Sequence, residues 1–555
     1  MAQVAQVVCS PLVCLSIPPL GRTMTISLLF VFAAVSHCVC DSAHAKPAKP
    51  LNVFMIIVDD LRPDIAAPGY NQTFMITPNI NKLAAKGTVF SRAYCQQAIC
   101  GPTRNSFLSG RRPQRTKSWN FLDHFREVGP NWVSFPGYFK NAGYSTYGSG
   151  KTYHPNLPPN NDGNLSWSTD RQYVSKGDGP WIRPSYIPNK GKSSVMIDKT
   201  PASNHSHYTD GANLDAILSD LRYAHSTGSP FFLAYGIHKP HLPFHAPEEM
   251  WNMYPSLDKV SMPTHQMAPS GMPPIAFTYE MDGKSDISVC VSEDNCADHP
   301  IPFPHANTLP VNATRALRKG YYAAVTWIDT LIGKALMELE ALGHANDTVI
   351  ALIGDHGWQL GEHNIWGKHT NFELGTRVPL IIASPERTGG IISSTIVESV
   401  DLYPTIASLA GLPAPHDVDG TDLSPLVGGT GVVDKIAAYS EYPRCPKNVS
   451  EPWTDTSSCV KTRREEFTVM GYSVRTDAWR YTVWLRWDGK NLVGDFSRPV
   501  GVELYSHASD DGNSFDRFEN ANLADDPHYS KVLADHHALA MAHWKSKTSE
   551  VALWV

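Results

Sequence analysis

The chain has 555 residues, enough to bury a large core and to form one large domain with a smaller one. It contains 47 basic and 53 acidic residues, so the formal net charge is −6, without the basic excess typical of nucleic-acid binding. A hydrophobic fraction of 42%, with 10% aromatic residues, excludes disordered, collagen-like and coiled-coil chains. We therefore expect a globular protein that does not bind nucleic acid.

The N-terminus has the pattern of a secretory signal. The apolar stretch 26–35 follows an arginine and precedes Ala43-His44-Ala45, which resembles a signal-peptidase cleavage site. This stretch is too short to cross about 30 Å of hydrocarbon, and no later segment approaches the required length of about twenty apolar residues. We expect residues 1–45 to comprise a signal peptide and an extension ahead of an alternative start at Met24, and we expect no membrane span.

The remaining chain carries features of the secretory pathway. Six N-x-[ST] sequons occur at Asn71, Asn164, Asn204, Asn312, Asn346 and Asn448. Four cysteines form two closely spaced pairs, Cys290 with Cys296 and Cys445 with Cys459. We expect N-glycosylation and two disulfides, because both modifications form in an oxidising secretory compartment.

Predicted strands and helices alternate along the chain. Three apolar runs are too short for helices and end at polar residues, as buried parallel strands do. These runs cover 53–58, 231–237 and 349–353. A short helix is predicted with Thr77 as N-cap, Pro78 in its first turn and Gly87 at its end. Helical patterns also cover 213–224 and 316–342.

This alternation predicts an α/β fold with two domains. Residues 46–460 are expected to form a large domain with a mostly parallel central sheet flanked by helices. Within it, 155–210 and 255–310 are rich in Pro, Gly, Asn and Ser and are expected to wall a pocket. In 461–555, apolar and aromatic positions alternate with polar ones, which predicts a smaller α+β domain with an antiparallel sheet and a final helix.

Acidic and histidine residues follow two of the predicted strands. Asp59-Asp60 follows the first strand, and Asp355-His356 follows the strand at 349–353. Adjacent carboxylates are costly to bury unless a cation neutralises them, although such aspartates also often cap the next helix. Ligands bind beyond the carboxyl ends of parallel strands, so we expect the two pairs to converge there. Three carboxylates favour a hard divalent metal such as Ca²⁺.

One short motif points to a specific chemistry. Residues 100–110 match the pattern C-x-P-[ST]-R-x-[ST]-F-L-[ST]-G, beginning at Cys100 and including Arg104. The pattern resembles the signature of the sulfatase family, in which an oxidising enzyme of the secretory pathway converts the cysteine to formylglycine. A structural cysteine needs neither the proline nor the arginine at these offsets. The alternative is a disulfide between Cys95 and Cys100.

The resemblance extends over essentially the whole mature chain. Further similar segments are 150–155, 231–234, 238–241, 354–358, 360–363, Lys368, 401–405, 470–476 and 480–484. Together they imply an alkaline-phosphatase-like fold for the large domain. Gly150-Lys151-Thr152 also imitates the end of a phosphate-binding loop, but that loop requires a glycine where this chain has Ser145, which disfavours a nucleotide site.

The resemblance implies a role for each candidate site residue. Ca²⁺ would be held by Asp59, Asp60, Asp355, His356 and the formylglycine derived from Cys100, whose hydrate would attack the sulfate ester. Arg104 would orient the hydrate, while Lys151 and Lys368 would stabilise charge on the sulfuryl oxygens. His238 would protonate the leaving oxygen and His154 would take a proton from the second hydroxyl. The sequence leaves open which histidine does which.

The implied substrate is a sulfated glycosaminoglycan, with the 2-O-sulfate of terminal iduronate in heparan and dermatan sulfate as the target. The enzyme would meet its formylglycine-generating enzyme during biosynthesis and then act in the lysosome, or outside the cell if secreted. Because its histidines gain charge towards pH 5, we expect an acidic optimum. Three alternatives remain: a sulfatase for another sugar, a phosphatase or phosphodiesterase of the same fold, and an inactive glycan-binding protein.

Overall fold

A mixed eight-stranded sheet forms the centre of the protein, which we describe from a computed structural model. The structure describes residues 50–175, 193–281, 286–292, 295–302, 304–446, 448–449, 459–512 and 517–551. Its strands are β1 (Asn52–Val58), β2 (Thr88–Tyr94), β3 (Ser145–Gly150), β4 (Val195–Asp198), β5 (Phe231–Ile237), β6 (Phe244–Pro247), β7 (Asp286–Ser292), β8 (Asn295–Pro300), β9 (Thr348–Gly354), β10 (Gln359–Leu360), β11 (Trp366–Gly367), β12 (Arg377–Ala383), β13 (Ile391–Ser393), β14 (Val397–Glu398), β15 (Ala438–Arg444), β16 (Val469–Arg475), β17 (Trp479–Asp488) and β18 (Val493–Ser506). Its helices are α1 (Pro78–Lys86), α2 (Cys100–Ser109), α3 (Pro113–Thr116), α4 (Phe125–Val128), α5 (Phe135–Asn141), α6 (Gly163–Ser166), α7 (Thr209–Thr227), α8 (Glu248–Asn252), α9 (Val311–Ala341), α10 (Glu373–Thr376), α11 (Leu402–Leu409) and α12 (Ser530–Val551).

Four parallel strands occupy one side of the central sheet, in the order β9, β1, β5 and β3. Near their carboxyl ends, Ile57 of β1 lies opposite Gly236 of β5 and Ile353 of β9. On the other side of β9, β12 runs antiparallel and pairs with β2, which in turn pairs with β13 and β14. The carboxyl ends of the four parallel strands therefore form one edge, where a ligand site is expected.

Helices cover both faces of this sheet. Successive side chains of a strand point to opposite faces, so each face contributes residues to a different buried cluster. Phe54 and Ile56 of β1 belong to a buried cluster with residues of α1, α7 and α9. Met55 and Ile57 belong to a second cluster with residues of α2, α5 and α11. The predicted α/β class is confirmed, with helices flanking a mostly parallel sheet.

The C-terminal part contains a four-stranded antiparallel sheet in the order β15, β16, β17 and β18. Helix α12 packs on it through Ala540 and Trp544, which share a buried cluster with Met470. Strand β15 precedes residue 461, the predicted start of the C-terminal domain, and residues 49–555 form one compact unit. The smaller antiparallel α+β region is therefore confirmed, while its boundary stays a prediction.

Most of the predicted elements are present. The strand at 231–237 is confirmed without change, and α1 ends directly before Gly87 as predicted. Helix α7 begins earlier than its predicted start at residue 213. No helix within the described part of the chain has the length and hydropathy needed to cross a membrane. The predicted signal segment 1–45 lies outside the described residues.

The cysteines of the described chain have two different states. Cys445 and Cys459 form the predicted disulfide. The backbones of Cys290 and Cys296 lie opposite each other in the β7–β8 hairpin. Cys95 and Cys100 are both buried free thiols, so the alternative disulfide between them is absent.

Candidate active site

A polar residue follows each of the four parallel strands directly. These residues are Asp59 after β1, Lys151 after β3, His238 after β5 and Asp355 after β9. Backbone hydrogen bonds continue the pairing of the strands to these residues: Asp59 N donates to Ile237 O at 3.0 Å, and Asp355 N donates to Val58 O at 3.0 Å. The sheet therefore places at one edge four residues that are up to about three hundred positions apart in the sequence.

Glycines allow the ends of β3 and β5 to approach closely. Gly150 has a φ of +63°, and a Cβ atom there would meet Gly236 O at 2.0 Å. A Cβ atom at Gly236 would meet the backbone of Lys151 at 2.1 Å. The two glycines thus let the backbone of Lys151 lie against β5, where Lys151 N donates to Gly236 O at 2.9 Å.

Cys100 is the first residue of α2, a helix whose ten residues are all buried. Its Sγ lies 3.3 Å from Lys368 Nζ and 3.3 Å from His356 Nε2. Burial raises the pKa of the Cys100 thiol, with the charge of Asp59 acting in the same direction. The unmodified cysteine is therefore a neutral thiol and a poor nucleophile.

Arg104 contacts two of the predicted metal ligands. Its Nε donates to Asp355 Oδ2 at 2.9 Å, and its Nη2 lies 3.5 Å from Asp59 Oδ1. Its Nη1 donates to the backbone carbonyls of Lys151 and Thr152. Arg104 thus holds the carboxylates and the Lys151 segment together, in addition to its predicted role at Cys100.

Burial and neighbouring charges act in opposite directions on the carboxylates. Burial favours the neutral acid and raises the pKa of Asp355 to about 7, although Arg104 opposes this shift. At Asp59, burial acts in the same direction, but the charges of Lys151, His241 and Arg104 outweigh it. The pKa of Asp59 therefore lies well below its usual range, so this carboxylate is ionised.

Three cations balance the three predicted carboxylate ligands. Lys151 Nζ forms an ion pair with Asp59, and Lys368 Nζ donates to Asp60 Oδ1 at 2.7 Å. Arg104 pairs with Asp355. A divalent ion added to this balanced group gives a net positive centre. Such a centre can attract an anion even though the whole chain has a net charge of −6.

The cluster fits a metal ion. One ligand atom from each of Asp59, Cys100, Asp355 and His356 lies within 4.8 Å of all the others. Asp59 Oδ1 is buried and accepts no hydrogen bond, so an oxygen lone pair remains for a cation. His356 Nδ1 donates to Gly357 O at 3.0 Å, which leaves Nε2 as the free lone pair directed at Cys100 and the carboxylates.

His154 lies beside this cluster under an aromatic ring. Its imidazole stacks on Phe121, with ring centroids 4.3 Å apart. Burial lowers the pKa of His154 to about 3, and Lys151 adds to the shift. Burial also lowers the pKa of His356. The expectation that the site histidines gain charge near pH 5 is therefore wrong for these two residues.

His238 faces a carboxylate that the sequence analysis did not single out. Its Nδ1 lies 3.0 Å from Oδ1 of Asp210, near the start of α7. His241, in the same loop as His238, offers a nitrogen within 4.8 Å of the ligand atoms of Asp59, Asp60 and Cys100. The signals for these missed residues are an acidic residue in a first helical turn and a second histidine three positions beyond His238.

Family models match most of the chain. A model described as Sulfatase matches residues 51–412, which is more than half of the 555 residues. The chain belongs to the sulfatase family. A second model, described as the C-terminal part of N-sulphoglucosamine sulphohydrolase, matches residues 361–492 of this sulfatase.

Curated relatives and solved structures resemble this sulfatase over most of their length. Iduronate 2-sulfatase of Homo sapiens is 32% identical over 527 residues, covering 85% of this chain and 92% of the relative. The Mus musculus protein of the same name is 31% identical over 557 residues, covering 89% and 95%. The phosphonate monoester hydrolase SpPMH from Silicibacter pomeroyi shares the fold, with a TM-score of 0.65, 22% identity and coverage of 89% and 95%. The protein is a sulfuric ester hydrolase.

Thr103 of the motif and Arg112, two residues beyond the motif, support the site rather than line it. Thr103 Oγ1 donates to the backbone carbonyl of Asp355 at 3.2 Å. Arg112, shortly after α2, forms a bidentate ion pair with buried Glu398 at 2.5 and 2.6 Å. These contacts tie α2, which begins at Cys100, and the segment that follows it to the surrounding fold.

Proposed function

We propose that the protein removes the 2-O-sulfate from non-reducing-end iduronate in heparan and dermatan sulfate. The observation that carries the chemistry is the position of Cys100 in a formylglycine motif, with Sγ 3.3 Å from Lys368 Nζ and beside the acidic cluster. The two relatives with 31% and 32% identity, both named iduronate 2-sulfatase, support the choice of sugar. A sulfatase of the same mechanism for another sugar is the second candidate.

The proposed cofactors are formylglycine derived from Cys100 and one Ca²⁺ ion. The ion would be held by Asp59, Asp60, Asp355, His356 and the modified residue 100. Three carboxylates provide the hard oxygen ligands that calcium prefers. When present, the hydrated aldehyde supplies the attacking oxygen and the ion polarises the sulfate group.

The protein's own side chains would handle charge and protons. Lys151 and Lys368 would oppose the negative charge of the transferring sulfuryl oxygens, since both ammonium groups lie beside the cluster. His238 would give a proton to the leaving sugar oxygen. His154 would accept a proton from the second hydroxyl; burial, which lowers its pKa to about 3, keeps the imidazole neutral above that pH and makes it a weak base.

The proposed location is the lysosome, reached through the secretory pathway, with secretion as the alternative. All six sequon asparagines lie at exposed positions, where a glycan can be attached. The formylglycine-generating enzyme is the proposed partner during biosynthesis. Because Cys100 is only 2% exposed in the folded chain, conversion would have to precede folding.

The function is tested by comparing sulfate esters with the glycosylated enzyme from eukaryotic cells. A 2-O-sulfated iduronate disaccharide is assayed beside a glucosamine-6-sulfate disaccharide and a simple aryl sulfate. We expect the highest kcat/KM for the iduronate substrate and no turnover by Cys100→Ala. Faster turnover of a comparison substrate would replace the iduronate assignment with the second candidate.

A further inference from the structure

Asp210 is a buried carboxylate that binds the segment following β5. Its Oδ1 accepts a hydrogen bond from His238 N at 2.7 Å, and its Oδ2 accepts one from Lys239 N at 2.9 Å. The same Oδ1 lies 3.0 Å from His238 Nδ1, and both side chains are nearly inaccessible to solvent. Because a carboxylate only accepts, His238 carries its hydrogen on Nδ1, which leaves Nε2 for other chemistry.

Several contacts fix Asp210 in place. Tyr235 OH donates to the backbone carbonyl of Asp210 at 2.8 Å, linking the start of α7 to β5. At the next residue, Gly211, a Cβ atom would meet His205 O at 1.9 Å, so the helix end packs against its neighbour without free space. Burial alone would raise the pKa of Asp210, but the hydrogen bonds and charge of His238 outweigh it and lower that pKa. The residue is therefore an ionised, immobile acceptor.

We propose that Asp210 is a positioning residue that orients the His238 imidazole as the proton donor to the leaving sugar oxygen. This inference rests on the role proposed above for His238. The sulfuryl group passes to the attacking oxygen, the electron pair of the ester sulfur–oxygen bond stays on the sugar oxygen, and the proton on His238 Nε2 moves to that sugar oxygen. The imidazole becomes neutral and keeps its Nδ1–H bond to Asp210. Before the transfer, the carboxylate offsets the positive charge of the ring.

A double-mutant cycle tests the coupling between these two residues. Asp210→Asn keeps the size of the side chain and one accepting oxygen but removes its charge. We expect Asp210→Asn and His238→Gln each to lower kcat by about 10²-fold, the scale of one general acid, with little change in KM. In the His238→Gln background, Asp210→Asn should cause no further loss, because the proton donor that it positions is already absent.

Asp329→Asn is the matched control, since Asp329 is also buried and accepts backbone hydrogen bonds from Asn79 and Ile80 at the start of α1. It should lower the melting temperature without changing kcat. The cycle uses the sulfate ester of the substrate panel that the wild-type enzyme cleaves fastest. A wrong sugar assignment would therefore show in the wild-type panel and would not affect the test of Asp210. An equal loss from Asp210→Asn in both backgrounds, or wild-type kcat in His238→Gln, would overturn the proposal.

Discussion

Replacing Lys368 by methionine tests whether this ammonium group stabilises the reacting sulfate. Lys368 Nζ is buried, 2.7 Å from Asp60 Oδ1 and 3.3 Å from Cys100 Sγ. At an effective dielectric constant of about 20, unit charges at this shorter distance attract by about 6 kcal/mol before desolvation is subtracted. Loss of one preorganised charge stabiliser typically costs about 10²–10³-fold in kcat, and we expect that loss for Lys368→Met.

The assay is steady-state sulfate release, expressed per mole of formylglycine-containing folded enzyme. Lys319→Met is the control. Lys319 is a buried lysine of α9, and its Nζ lies 4.4 Å from the ring centre of Trp251. Within the described residues, neither Lys319 nor Trp251 contacts a residue of the site. The control should keep the wild-type kcat. A Lys368→Met enzyme with unchanged kcat and a raised KM would refute the reasoning, since Lys368 would then bind substrate and transition state equally.

Two further predictions concern the metal and the fold. Chelation of the metal should abolish sulfate release, and full activity of metal-free enzyme would contradict this. Asp355→Asn should weaken calcium binding in a calorimetric titration, because it removes one of the few negative charges among the ligands. Arg112→Ala should lower the free energy of unfolding by about 1.5–3 kcal/mol, the scale of hydrogen bonds to a charged group, because buried Glu398 loses its bidentate partner and keeps Lys435 at 2.8 Å. Denaturant unfolding measures this loss, and a loss below about 1 kcal/mol would show that the pair contributes as little as a surface pair.

Much of the site could be predicted because its signals are local in the sequence. Asp59 follows one apolar run directly and Asp355 follows another after Gly354, and parallel strands place their carboxyl ends at one edge. The formylglycine motif is contiguous, so Cys100 and Arg104 could be identified without any knowledge of the fold. The limits of α1 follow from Pro78 at its start and Gly87 at its end.

Other features depend on contacts between distant segments. Asp210 and His238 meet only because α7 packs beside β5, and nothing in the sequence around Asp210 indicates that partner. The helix prediction also missed the true start of α7, because Tyr208 is its N-cap and makes no side-chain capping bond. The antiparallel insertion of β12 between β9 and β2 is likewise a long-range pairing without a local signal. Burial, which keeps His154 neutral, is also set by the tertiary structure.

The central claim is that residue 100 acts as formylglycine. Peptide mass spectrometry across residues 100–110, on active enzyme from eukaryotic cells, tests it most directly. We expect the mass of formylglycine at Cys100, in a fraction of molecules that rises in proportion to specific activity between preparations, and no activity in Cys100→Ala. Full activity in a preparation whose Cys100 is an intact thiol would contradict the account.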